Sequence, residues 1–317
     1  MQSKEKINLN QSLDFTDTFN LSIRFIRQNF FHLFKTLLFI AGPFILMSSV
    51  ASGYYQKSVF SPAYFRLGMV TPIWVQYIIV LITSVLSSLA LIGATFEYMI
   101  LYKEKGPGNF EVNDVGKAIL KDTWNILWTF FGLFLLSLLI FFVGFLIYYA
   151  FLKISPVLFG IMIFFLLIAA FITLPQLVYL FSSIYFIRLK NHLSLSASIS
   201  KAFYIMKGNF WWTWVVFICV GIALYLIYLC FFVPQIVLSV IVMLSAIRGE
   251  VSDQYGTLLM VLTTFSMFFG RLMTFFILFI ITAVHYFSLE EKKEGKGLFE
   301  RIDEIGTRKD NSVEGNY

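Results

Sequence analysis

Charge is what this sequence has least of. Asp, Glu, Lys and Arg make up 13% of the 317 residues, while apolar residues make up 59%. A soluble domain carries about twice that charged share, so a surface of this composition excludes an ordinary water-soluble protein. Cysteine is nearly absent. Cys219 and Cys230 lie in one apolar run, and eleven residues of helix separate them by about 16 Å, which excludes a bridge between them. The three histidines, His32, His192 and His285, are scattered and form no HExxH pattern. There is no GxxxxGK phosphate loop, no GxSxG nucleophile elbow and no pair of aspartates inside an apolar run. No acidic run suits the metal site of a phospholipid synthase. We therefore expect no catalytic residue, no metal ligand and no cofactor, and a protein that is not an enzyme.

What the sequence does have is long apolar runs: 33–52, 73–102, 124–151, 157–187, 210–246 and 257–288. Each reaches the roughly 20 residues that a helix needs to cross a bilayer core. None shows the alternating ten-residue segments of an outer-membrane barrel. Helices are then the one way left to satisfy the backbone in lipid. The expected fold is all-α and integral to the membrane, with six transmembrane helices. The first 32 residues are too polar and too long for the start of a cleavable leader. The fifth run exceeds a single crossing, and Pro234 divides it. The piece 234–246 is expected to project from the membrane or dip back into it.

Basic residues flank these runs unevenly. Eighteen Lys and Arg fall on one side, and four, Lys57, Arg66, Lys153 and Arg248, on the other. By the positive-inside rule both termini face the cytoplasm. The net charge of +6 reflects this bias and not nucleic-acid binding. An acidic phospholipid surface is the natural partner of such flanks.

One pattern occurs three times: large apolar, basic, any residue, Asn or Thr, aromatic, three residues, aromatic. The copies are Ile26-Arg27-Gln28-Asn29-Phe30 with Phe34, Leu120-Lys121-Asp122-Thr123-Trp124 with Trp128, and Met206-Lys207-Gly208-Asn209-Phe210 with Trp214. Ser22, Gly116 and Ala202 stand five residues before the basic position. Apolar residues before the first copy (Phe15, Phe19, Ile23, Ile26, Phe30) and the third (Ile199, Phe203, Met206, Phe210) recur at helical spacing. Before the second, Val115 and Ile119 lie opposite Lys117 and Lys121. Each copy thus marks an interfacial amphipathic helix that leads into two spans. The expected organisation is three parallel two-span units, about 12–102, 110–187 and 195–289, in one domain covering 1–306. A short amphipathic helix at about 297–306 and a disordered tail at 307–317 would complete the chain.

After the last span comes Tyr286-Phe287-Ser288-Leu289-Glu290-Glu291-Lys292-Lys293-Glu294-Gly295. With the repeated amphipathic helix and paired spans, this aromatic-aromatic-x-Leu-charged-charged-Lys-x-Glu-Gly stretch resembles a broad bacterial family of six-span proteins. It is similar to the membrane domain that precedes the catalytic barrel of some glycerophosphodiester phosphodiesterases. The resemblance covers about residues 14–305 and implies a six-helix inner-membrane module. It does not imply phosphodiesterase activity, because no soluble stretch here approaches the size of that barrel.

Ionisable residues inside apolar runs are costly, about 2.5–3.5 kcal/mol at a helix centre, so each one matters. Glu97 and His285 are expected near the cytoplasmic edge, within reach of each other if the second and sixth spans are neighbours. Arg271 sits deep in the sixth run with no acidic residue at its depth. Ser84, Ser87 and Ser88 could offer it hydroxyls, and Ser266 with Gly270 gives a small-residue face for close packing. Pro43, Pro175 and Pro234 should free backbone carbonyls in the first, fourth and fifth spans. Phe210, Trp211, Trp212 and Trp214 form an aromatic belt. The leading expectation is a non-enzymatic subunit or scaffold that binds other membrane proteins. Phospholipid binding near Arg271 is the alternative, and small-solute transport ranks below both.

Overall fold

The computed structural model describes residues 6–60, 71–154, 156–248 and 253–295. The expected C-terminal helix and tail, and Arg66, lie outside these. Eight helices and no strand occur among the described residues: α1 (Phe15–Ile40), α2 (Gly42–Val59), α3 (Thr71–Lys105), α4 (Val112–Ile154), α5 (Pro156–Asn191), α6 (Leu195–Met206), α7 (Phe210–Ile247) and α8 (Asp253–Glu294). α3, α4, α5, α7 and α8 are long and apolar enough to cross a membrane. The number becomes six if α1 and α2, which meet at a 60° bend, form one span. The chain is a helical multi-pass membrane protein.

The bend has a local cause. Pro43 occupies the first turn of α2, where its missing N–H costs nothing, but it cannot donate to the carbonyl four residues earlier. The helix stops at Ala41 and restarts at another angle. Pro175 and Pro234 lie inside continuous helices. At Pro175 the carbonyl left without a backbone donor is that of Phe171, and the indole N–H of Trp214 donates to it at 3.3 Å. The segment 234–246 continues α7 as one 38-residue helix.

The segments expected as interfacial helices are all helical, but only the third is a separate element. α1 and α4 run through their copies of the pattern without interruption, whereas α6 ends at Met206 and α7 begins at Phe210. The residue that differs is the one at the unrestricted position. Gln28 and Asp122 fit a helix; Gly208 takes φ +88°, a conformation that suits glycine and ends helices.

Two compact units make up the chain, and their boundaries fall inside helices. One comprises Met1–Gln28, Gly132–Phe217 and Ile280–Tyr317. Its core is the end of α8, where every residue from Ile280 to Glu290 is buried. The extended segment before α1 is tied there: Leu13 N–H donates to Ser288 Oγ at 3.0 Å. The start of α1 and all of α6 bury matching positions in this unit. Thr18, Ser22 and Phe25, and Ser198, Ala202 and Ile205, are each 0% exposed, while Ile23 and Phe203 are 52% and 53% exposed. The Phe15–Phe19–Ile23 side of α1 is thus not the face that packs inward.

The other unit comprises Asn29–Phe131 and Ile218–Phe279. α2 packs along α3, and α2 meets α8 at Gly53. A methyl placed on Gly53 would lie 2.4 Å from Thr264 Oγ1 and 2.7 Å from the Met260 carbonyl, so only glycine permits this approach. The Ser266–Gly270 face of α8 meets α7: Ser266 Oγ donates to the Phe231 carbonyl at 2.7 Å, and the rings of Phe232 and Tyr228 pack over Gly270. At the far ends of these helices Leu238, Val242 and Leu259 form a small apolar core.

Candidate functional site

Arg271 projects from α8 into a set of serines. Its Nη1 donates to Ser48 Oγ at 2.6 Å and to Ser87 Oγ at 3.0 Å, and its Nη2 donates to Ser84 Oγ at 3.2 Å. Ser48 and Ser84 hydroxyls also bond each other at 3.1 Å. Arg271 is partly buried, and Ser48 and Ser87 are fully so.

Local structure explains the convergence. Ser84 and Ser87 stand three residues apart, on one face of α3. The bend between α1 and α2 aims α2 along α3, and Ser48 then faces Ser84. Ser88 takes no part: it is exposed, and its hydroxyl donates to the Ser84 carbonyl at 2.8 Å. Ser48 is the residue that sequence reasoning missed. Its signal was a polar stripe, Ser48, Ser49 and Ser52, inside an otherwise apolar run.

The chemistry of this set is unbalanced. A guanidinium has five donors and a fixed positive charge. Three neutral hydroxyls satisfy geometry without cancelling charge, and no carboxylate pairs with Arg271 among the described residues. The arrangement holds a cation in fixed orientation and leaves donors for an outside anion.

The remaining candidates lie elsewhere. Glu97 is buried on α3, and its Oε1 has no hydrogen-bond partner among the described residues. His285 is fully buried in the unit that contains the end of α8. Its Nε2 shares a hydrogen bond with Thr213 Oγ1 at 3.1 Å, and the rings of Tyr179 and Phe217 pack around it at 5.3 and 5.9 Å. Thr213 was not foreseen as its partner. Cys219 and Cys230 are free thiols.

The motif 286–295 is a structural clasp. Glu290 accepts from Lys190 Nζ, from Lys201 Nζ at 3.2 Å and from Tyr286 OH at 2.9 Å. Lys190 also lies over the Tyr286 and Phe287 rings, 4.9 and 4.6 Å from their centroids, as cation–π contact requires. Both rings meet Phe186 edge-on at 5.3 Å. Gly295, at φ +60°, ends the helix.

In the repeated pattern Arg27, Lys121 and Lys207 are exposed. Asn29 is buried, Asn209 half-buried and Thr123 exposed. Phe30 stacks on Phe34 at 5.8 Å, and Trp124 meets Trp128 edge-on at 5.6 Å. In the third copy Phe210 and Trp214 both contact Trp211, at 5.4 and 6.2 Å. Among the described residues no cluster of His, Cys, Asp or Glu could hold a metal ion. The chain matches no known protein family, no curated protein and no solved structure.

Proposed function

We propose that this chain is a non-enzymatic subunit or scaffold of a membrane-protein complex in the bacterial inner membrane. In this reading it makes six crossings, with α1 and α2 as one bent span, and both termini are cytoplasmic. The spans form three parallel two-span units. The matched burial at the start of α1 and along α6 supports kinship of the first and third units. The observation that carries the reading is the exposure of α4 and α5. None of residues 134–149 and 160–174 is buried, and the most apolar windows of these helices are only 6% buried, against 56% for α8. Two long helical stretches that pack on so little of their own chain offer a lateral apolar face to the spans of another protein, where close packing is what holds helices together.

Extraction in mild detergent tests this. We expect a stable complex with other membrane proteins whose yield falls in a Phe141→Ala/Phe165→Ala variant that still inserts normally. A lone monomer in several mild detergents contradicts the reading.

One observation favours a second reading, phospholipid binding: Arg271 carries charge that its serines do not neutralise. It predicts co-purified phospholipid that Arg271→Leu reduces, and unchanged lipid content in that variant counts against it.

A further inference from the structure

The repeated pattern has one copy whose small residue is not packed. Ser22 and Ala202 are 0% exposed, but Gly116 is only partly buried, and a methyl placed on it would meet nothing within 4 Å. Gly116 opens onto two adjoining cavities in the unit of residues 29–131 and 218–279. The first, about 780 Å³, is lined by His32, Lys35, Glu111 and Asn113 among others. The second, about 380 Å³, is lined almost wholly by apolar side chains, from Phe44 and Leu86 to Leu127. Ile40 and Gly116 line both and form the neck between them. From Gly116 to Leu127 is about 16 Å of helix, long enough to take most of an extended acyl chain.

Two exposed charges of opposite sign line the larger cavity. Lys35 and Glu111 both line it, and neither is engaged in an ion pair among the described residues. His32 is held in place, with Nδ1 at 3.0 Å from Tyr98 OH and its ring packed against Phe110 at 5.2 Å. A cavity of mixed lining that carries an exposed cation and an exposed anion, adjoining an apolar one, matches one class of molecule. It is an amphiphile whose headgroup carries a phosphate and an amine. We propose that this double cavity holds one zwitterionic glycerophospholipid of the phosphatidylethanolamine type. Lys35 binds the phosphate, Glu111 binds the ammonium, and one acyl chain passes Gly116 into the channel lined by Phe44, Leu86 and Leu127. The site shares no residue with the exposed stretches 134–149 and 160–174 or with Arg271 and its serines, so it stands independently of both readings above.

The test is native mass spectrometry of the full chain extracted from vesicles of phosphatidylethanolamine and phosphatidylglycerol in equal parts. The expected result is one retained phosphatidylethanolamine per chain. Gly116→Leu fills the neck and should lower that retention about tenfold or more, roughly 1.4 kcal/mol. Leucine favours helix more than glycine does, and the added atoms enter open space, so the variant should fold. The double exchange Lys35→Glu/Glu111→Lys keeps net charge, alters no core residue, and should lower retention to a similar degree. Equal retention of the two lipids, absence of a retained lipid, or retention that survives either substitution overturns the proposal.

Discussion

At the scale of single residues the molecule is governed by a few charges placed where charge is expensive. Arg271 is satisfied by hydroxyls and not by a counter-ion, which sets up an asymmetry. Removing the serines strands a charged donor, whereas removing the arginine leaves only hydroxyls that can turn back to their own helices. Ser48→Ala/Ser84→Ala/Ser87→Ala should therefore destabilise more than Arg271→Met, by about 1–3 kcal/mol. Thermal unfolding of the two variants in the same detergent checks the order, and the reverse order refutes it. The Glu290 clasp makes a second prediction. The Glu290 side chain is 5% exposed and that of Lys201 is 21% exposed. Glu290→Ala removes the buried carboxylate that Lys190, Lys201 and Tyr286 share and should cost about 3 kcal/mol or more; Lys201→Ala should cost about 1 kcal/mol or less. Equal losses in denaturation midpoint would show that the clasp is not the centre of this packing.

At the scale of helices, glycine and proline decide geometry. Gly53 admits α8 to within contact of α2, so Gly53→Val should destabilise by about 1–3 kcal/mol through overpacking. Gly116→Leu, in open space, should leave thermal stability unchanged or raised. Measured together, the pair separates close approach from simple glycine flexibility. How much could be read in advance follows the same division. The helices were legible because their apolar runs far exceed what any other element tolerates. Arg271 and its neighbours Ser84 and Ser87 were legible because a lone charge in such a run must find donors or acceptors at its own depth. Ser48 was not, since its approach depends on the angle at which α2 leaves Ala41, and a sequence reports a proline without reporting the direction of the bend. Ser88 was misassigned for a related reason: it stands one residue from Ser87, and one residue is 100° of helix, enough to turn it to the surface. Thr213 beside His285 depends on two helices distant in sequence, and nothing in either run marked it. The role of 286–295 could be recognised as a pattern but not explained until Lys190, Lys201 and Phe186 were seen around it.

At the scale of the whole molecule, everything turns on whether α1 and α2 together make one crossing. If they do, the spans number six, the basic flanks gather on one side, and the three two-span units are parallel. If they do not, five crossings remain, the two ends part company, and the repeat loses its meaning. The most direct measurement is a pair of fusions in living cells, with a compartment-sensitive reporter enzyme on the N-terminus in one strain and on the C-terminus in another. Both reporters should give cytoplasmic activity. Activity of the two in opposite compartments would contradict the account.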